Sequence, residues 1–344
     1  MNKQGSALSG YHVLDLTDEK GMLCSRYLAD MGAEVLRIEK PGGSPKSRFY
    51  WENLGKRAIA LDIELKPGQE ILKKLVKTAD VLVESHSSGY LGALGLGYPQ
   101  LSQINPRLVM ASITNFGQSG PRRDYKACDI VASALGGQMY VCGEADLSPL
   151  KPFGNQSYYL ASIFAAIGIL LALWCRHTSD RGQHIDISLQ DCVAAALDHV
   201  LVRYFYQGVV AKRQGSLHWN GAFRVFPCKD GYILLSLFYQ WETLVEWLAS
   251  EGMAEDLTDK KWLDRDYRFK HLDHVIEVLE RWTRNHTVAG LVEKGQLMRF
   301  PWAEVCSISK LMASPQLKAW DFWVEIEHPV TGKKYKFPRL PWVG

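Results

Sequence analysis

The chain has 344 residues, with 40 Lys and Arg against 37 Asp and Glu, a net charge of +3. The two signs of charge are interleaved, which excludes the one-sided basic footprint of a nucleic-acid binder. A content of 47% apolar and 22% charged residues excludes a disordered or fibrous chain, and the length suits two domains.

In chain order, Tyr11–Thr17 (YHVLDLT) predicts a short apolar strand and Gly21–Met31 a helix. Glu34–Glu39 (EVLRIE) predicts a second strand, Ala58–Ile63 (AIALDI) a third, and Pro67–Thr78 a helix with Ile71, Leu72, Leu75 and Val76 on one face. Val81–Glu84 and Leu108–Ile113 complete five strands. Strands alternating with helices predict a parallel sheet covered on both faces, a Rossmann-like layout. No GxGxxG follows the first strand, where the turn reads DLTDEKGM, so a dinucleotide site at the usual place is disfavoured.

A long apolar helix is predicted near Tyr158–Arg176. Its strongly apolar part, Leu160–Cys175, is 16 residues, short of the roughly 20 that span a bilayer. It holds Ser162 and Gly168 and no second candidate follows, so a buried helix is expected and not a membrane span. Next come a strand, His184–Ser188, and a helix, Leu189–Tyr206. The polar stretch Gly208–Gly221 predicts a linker. Beyond it Phe223–Leu237 predicts a hairpin turned at Lys229-Asp-Gly, followed by helices at Trp241–Leu248, Leu272–His286 and Val288–Lys294. The expected division is a large Rossmann-like domain over 1–207, a linker over 208–222, a small α+β domain over 223–325 and a C-terminal segment over 326–344 returning toward the large domain.

Little chemistry stands out from the residues alone. The seven Cys are scattered without CxxC spacing, which argues against zinc or a disulfide framework and for a reducing, cytoplasmic setting. MNKQGSALSG holds no apolar signal region. His86, His177, His199 and His218 show no metal spacing, and no GxSxG nucleophile elbow occurs. Pro41-Gly-Gly and Ser119-Gly are ordinary turn signals. Asp15, Asp62 and Asp186, in or at the end of strands, are expected to be satisfied carboxylates in turns or caps.

The chain as a whole resembles the family III CoA-transferases, which include formyl-CoA, carnitine-CoA and benzylsuccinate-CoA transferases and the α-methylacyl-CoA racemases. The resemblance is carried by LDLT at 14–17, LADMGAEVLRIEKPGG at 28–43, NLGKRAIALDI at 53–63, ADVLVES at 79–85 and LGLGY at 94–98. It continues in NPRLVMASITNFGQSGP at 105–121, CDIVASALGG at 128–137, AAIGILLAL at 165–173 and RGQHIDISLQD at 181–191, with weaker echoes at 229–236 and 328–341. It implies a Rossmann-like large domain, a small domain and two interlocked chains. It also implies a reaction in which an aspartate attacks a donor thioester, becomes a mixed anhydride, and then becomes an aspartyl-CoA thioester that the acceptor acid attacks.

The resemblance also shows what this chain lacks. The family's aspartate lies ten residues before the glycine of the apolar helix and twenty-four before that of the Gly-Gln pair. Counted back from Gly168 and from Gly182, both arrive at Tyr158. No Asp or Glu occurs between Pro149 and Arg176. A phenol with a pKa near 10 is neutral at pH 7 and forms no anhydride. In the racemase branch a His precedes an Asp-Ile pair; here that residue is Cys128, before Asp129, so both halves of the acid/base pair are missing.

By the same resemblance Lys40 and Lys126 keep positive charge for CoA phosphates, while other family positions carry Glu64, Ala93, Ser85-His86 and Lys20-Gly21-Met22. That makes CoA binding by this chain doubtful, and no metal is expected. Family chains run to about 400 residues, whereas this sequence stops at Gly344, after FPRLP. The expectation is a non-catalytic subunit paired with a homologous subunit that carries the aspartate, for an aromatic or dicarboxylic acid, with a homodimer as the other assembly. Two alternatives stay open: an active CoA-transferase or acyl-CoA isomerase using other residues, and a regulatory protein that binds acyl-CoA or an acid.

Overall fold

The computed structural model describes residues 5–42, 51–328 and 331–341. Gly43 of the Pro41-Gly-Gly stretch, and residues 329–330 and 342–344 of the C-terminal segment, lie outside them. The chain divides into two compact units: Met1–Cys142 with Pro149–Ala211 and Glu325–Gly344, and Gly143–Ser148 with Lys212–Val324.

The first unit is built on β1 (His12–Leu16), α1 (Met22–Asp30), β2 (Glu34–Glu39), β3 (Arg57–Ala60), α2 (Lys66–Val76), β4 (Val81–Glu84), α3 (Tyr90–Ala93), α4 (Tyr98–Ile104) and β5 (Val109–Thr114). It continues with α5 (Asp129–Leu135), α6 (Gln138–Val141), α7 (Gln156–Ser179), β6 (His184–Ser188), α8 (Leu189–Ala195) and α9 (His199–Gln207). The six strands form one parallel sheet in the order β3-β2-β1-β4-β5-β6. All of β4 and β5 is buried, as continuous apolar runs in a doubly covered sheet demand. One face of the sheet buries Val13, Val35, Val83 and Ile113 against α1 and α7; the other buries Leu14, Leu82 and Met110 with Leu72, Val76 and Leu101 of α2 and α4. Each side carries its own core, giving the three layers expected.

Two glycines permit close approach. A Cβ on Gly182 would lie 1.9 Å from the Leu108 carbonyl oxygen, and one on Gly168 would press on the Ile185 methyl at 3.2 Å. The long helix thus packs directly against β6, and the residue leading into β6 sits against the entry to β5.

Two helical expectations need correction. The single helix predicted over Leu189–Tyr206 is two, because Asp198 takes φ 46° and breaks it. The apolar helix is longer than predicted, and only one of its faces is buried. Ala161, Ala165, Ile169 and Leu173 enter the core, while Ile163, Phe164, Ile167, Leu171 and Trp174 are exposed along the opposite face. No residue of α9 is buried; Leu201, Val202, Tyr204, Phe205 and Tyr206 are all exposed.

The second unit has a three-stranded antiparallel sheet of β7 (Phe223–Pro227), β8 (Tyr232–Ser236) and β9 (Ala303–Glu304). The turn between β7 and β8 falls at Lys229-Asp-Gly as predicted, closed by Cys228 N–H to the Gly231 carbonyl at 2.8 Å. Its helices are α10 (Trp241–Ser250), α11 (Arg265–Lys270), α12 (Leu272–Thr283), α13 (Val288–Leu297), α14 (Ile308–Met312) and α15 (Pro315–Ala319). Trp247, Trp282 and Trp302 lie at its centre, and the indole N–H groups of Trp247 and Trp282 both donate to Glu251, at 2.9 and 2.7 Å. β10 (Trp323–Glu327) and β11 (Lys334–Pro338) pair with each other.

Candidate functional site

The strand order reverses between β1 and β4, and crevices at the carboxyl ends of such strands are where open α/β sheets hold ligands. A cavity of about 660 Å³ lies there. Its walls come from the end of β1 (Leu16, Thr17, Asp18), the end of β2 (Arg37–Lys40), the segment after β3 (Leu61–Glu64), the end of β4 (Ser85–Ser87) and Tyr90.

Beneath the cavity is a buried ionic hub that sequence reasoning left without a role. The Asp15 carboxylate, fully buried, takes the Lys56 ammonium at 2.9 Å and Arg37 at 3.5 Å. It also accepts from the Ser25 and Thr17 hydroxyls, each at 2.6 Å, and from the Thr17 N–H at 2.9 Å. Lys56 spends its other protons on the Met22 carbonyl at 2.7 Å and on Asn53 Oδ1 at 3.0 Å. Burial raises the Asp15 carboxyl pKa, but the two cations and two hydroxyls outweigh it and hold the group below its ordinary value. The hub is fully satisfied and pins the start of α1 to β1. Asp62 meets the expectation of a turn carboxylate, accepting the Glu64 N–H at 2.9 Å, whereas Asp186 lies within β6 and accepts the N–H of Gln118 at 2.8 Å from the segment after β5.

Tyr158 stands in the first turn of α7, buried, with its hydroxyl oxygen accepting the Asp129 N–H at 3.1 Å. Asp129 answers in kind. Its Oδ1 accepts the N–H groups of Ser157 at 2.9 Å and Tyr158 at 3.4 Å, so it caps α7 from a distant part of the chain. The Lys151 ammonium lies 2.8 Å from its Oδ2. Burial, with the negative charge of Glu19 behind it, pushes the Tyr158 phenol up to about 12. A phenol so raised is held in its neutral form at physiological pH.

The neighbouring loop links this cluster to the cavity. Ser162 of α7 donates to the Lys20 carbonyl at 3.2 Å, and Lys20 pairs with Asp18. Asp18 is further held by the Ser85 hydroxyl at 2.7 Å. Asp18 and Asp129 are thus both engaged in holding backbone or cations.

Of the residues singled out from sequence, the structure brings Tyr158 and Cys128 together at the junction of α5 and α7, with Cys128 exposed just before α5. Lys40 lines the cavity; Lys126 is exposed and is not among the lining residues. Lys40 is not free. Its ammonium sits 2.6 Å from Glu64 and 3.9 Å from Asp62. The Tyr90 hydroxyl donates to the same Glu64 at 2.9 Å, and the Tyr90 ring stacks on His86 with centroids 4.6 Å apart. Asp129, Lys151 and Lys56 carried no role in the sequence analysis, although the last residue of NLGK is Lys56 and the Asp of CDIVASALGG is Asp129. Among the described residues no group of three or more His, Cys, Asp or Glu is placed to hold a metal.

Comparison with known proteins agrees with this geometry. The profile of CoA-transferase family III matches residues 8–343. The succinyl-CoA:(R)-benzylsuccinate CoA-transferase subunit BbsE of Thauera aromatica is 33% identical over 98% of this chain and 90% of its own length. The succinyl-CoA–L-malate CoA-transferase beta subunit of Chloroflexus aurantiacus is 30% identical over 97% and 86% respectively. A solved CAIB/BAIF family protein from Brucella suis superposes with a TM-score of 0.84 at 27% identity, covering 99% of this chain and 97% of its own. With sheet order, cavity position and full-length similarity in accord, the chain belongs to CoA-transferase family III.

Proposed function

We propose that this chain is the non-catalytic subunit of a hetero-oligomeric acyl-CoA:carboxylic acid CoA-transferase, assembled with a homologous subunit that carries the catalytic aspartate. The observation that carries this is Tyr158. Transfer of CoA through the enzyme needs a carboxylate, whose acyl derivatives are activated enough to pass the group on in either direction. A buried phenol with a pKa near 12, its oxygen already accepting a backbone N–H, supplies none. Asp129 is spent as the cap of α7 and Asp18 on Lys20 and Ser85.

The exposed apolar faces of α7 and α9 support a partner that covers them, in keeping with interlocked chains. Two relatives are named as subunits, and both names include succinyl-CoA, which supports a succinyl donor and an aromatic or dicarboxylic acceptor acid. The free cysteines suit a reducing, cytoplasmic setting.

Co-expression with a full-length homologue bearing the aspartate should yield a complex that transfers CoA, while this chain purified alone turns over no acyl-CoA. In the complex, Tyr158→Phe should leave kcat within about twofold, and substitution of the partner's aspartate should abolish turnover. A homogeneous preparation of this chain that forms a stable homodimer and transfers CoA would refute the assignment, as would loss of turnover on Tyr158→Phe in a complex that still assembles.

A further inference from the structure

Four arginines are buried among the described residues: Arg26, Arg37, Arg176 and Arg268. The first three each have a carboxylate in reach, Asp30 at 2.6 Å, Glu39 at 2.6 Å and Asp80 at 2.8 Å respectively. A cation taken out of water is costly without such a counter-charge, so these pairs are what burial demands. Arg268, in α11 of the second unit, departs from the rule: it is 7% exposed and pairs with no carboxylate among the described residues. The nearby Asp264 carboxylate is turned to its own helix, where it accepts the N–H groups of Asp266 and Tyr267 at 2.8 and 3.4 Å.

The contacts of Arg268 leave one edge of its guanidinium unused. Nη1 donates to the Trp262 and Leu263 carbonyls at 2.6 and 3.1 Å. The rings of Trp241 and Phe238 lie against the cation, with centroids 4.9 and 5.6 Å from Cζ. Nε is buried without a hydrogen-bond partner, and Nη2 has none among the described residues. The N–H groups of Nε and Nη2 point the same way and form the side-on fork that matches the two oxygens of a carboxylate. The carbonyls and rings hold that fork in one orientation. Its surroundings add charge and an apolar rim. Arg265 stands over the Phe269 ring, 5.4 Å from its centroid, and it too pairs with no carboxylate among the described residues. Phe238 packs on Phe269 with centroids 4.7 Å apart, and Phe269 and Tyr239 are both exposed.

We infer that the Nε–Nη2 edge of Arg268 is a binding site for the carboxylate of a small acid with a flat apolar body. The body rests on the exposed rings of Phe269 and Tyr239, and Arg265 adds a second positive charge. The carboxylate supplies the counter-charge that the other buried arginines find within the chain. This site does not rest on the subunit assignment, because it is read by binding to this chain alone, without turnover or assembly.

The probe is benzoate, added to the full chain, with benzamide as its uncharged isostere and inorganic phosphate as an anion without a ring. Proton–nitrogen correlation spectra follow the Arg268 Nε–H, assigned through bonds along its side chain. Benzoate should move this proton downfield in a saturable way, because a carboxylate hydrogen bond deshields it, and benzamide should leave it in place. Phosphate should move it less than benzoate does, since phosphate gains nothing from the rings. In calorimetric titration Arg268→Lys should weaken benzoate binding about tenfold, because the charge stays while the fork is lost. Arg265→Gln, at an exposed position, should weaken it about threefold. Arg268 also holds two backbone carbonyls, so if Arg268→Lys fails to fold, the spectra of the unaltered chain decide the matter. A proton that benzoate leaves unmoved, one that benzamide moves as far or phosphate further, or an unchanged benzoate Kd in folded Arg268→Lys would overturn the site.

Discussion

At the scale of single residues the Asp15 hub has the clearest consequences. Its carboxyl is held below the ordinary carboxylate value in the folded chain, so the folded state binds fewer protons than the unfolded one as pH falls through the carboxylate range. The stability it contributes is fully present above about pH 4, the unfolded value, and is lost as pH falls through the lower folded value. Chemical denaturation of the first unit followed from pH 7 to 3 should show that loss, and Asp15→Asn should flatten it. The same variant should cost about 3–5 kcal/mol at pH 7, because it leaves the buried Lys56 ammonium without its counter-charge. Unchanged stability in Asp15→Asn would mean that the ion pair does not matter. The sequence offered Asp15 as a satisfied carboxylate in a turn or cap; it is satisfied, but within β1 and by a buried ion pair. Its partner was hidden, because Lys56 lies 41 positions away and only the parallel sheet brings it under β1. Lys40 repeats the lesson in the cavity: a phosphate-ready cation by residue type, it is neutralised by an acid 24 residues on.

Among the elements, α7 shows what periodicity carries and what it misses. Its glycine spacing was legible for a physical reason. Gly182 and Gly168 are fixed by contacts that admit no side chain or only a tight one, so counting from them places Tyr158 in the first turn, where it is found. Gly182→Ala should drive a methyl into the Leu108 carbonyl and lower the midpoint of thermal unfolding by several degrees. An unchanged midpoint would mean that the strand entry shifts freely. Asp129→Ala removes the acceptor for two first-turn amides and the counter-charge of Lys151; a loss of about 2 kcal/mol or more in denaturant unfolding is expected, against almost none for Asp186→Ala at its exposed position on β6. The half-exposure of α7 was not legible. A helix apolar on all sides reads as buried on all sides, and nothing local distinguishes a face that meets the sheet from one that meets a partner. Nor was the break between α8 and α9, which contains no Gly or Pro and rests on the positive φ of Asp198.

For the whole molecule, the exposed residues of α7 and α9 are the feature on which the proposed assembly rests. Trp174 is 76% exposed, Phe205 76% and Tyr206 87%, on helices whose neighbours are otherwise well packed. Trp174→Glu combined with Phe205→Glu should abolish complex formation with the aspartate-bearing homologue in sedimentation experiments and leave this chain's own circular dichroism intact. A complex that survives both changes would place the interface elsewhere. The order of elements carries a further consequence. All six strands of the parallel sheet fall between His12 and Ser188, and both apolar helices end by Gln207, whereas the second unit resumes only at Lys212. During synthesis, therefore, the sheet can close and its sticky helices emerge from the ribosome while most of the second unit is still untranslated. For the proposed hetero-oligomer, that timing favours capture of the partner by the nascent chain, before a finished orphan polypeptide can aggregate.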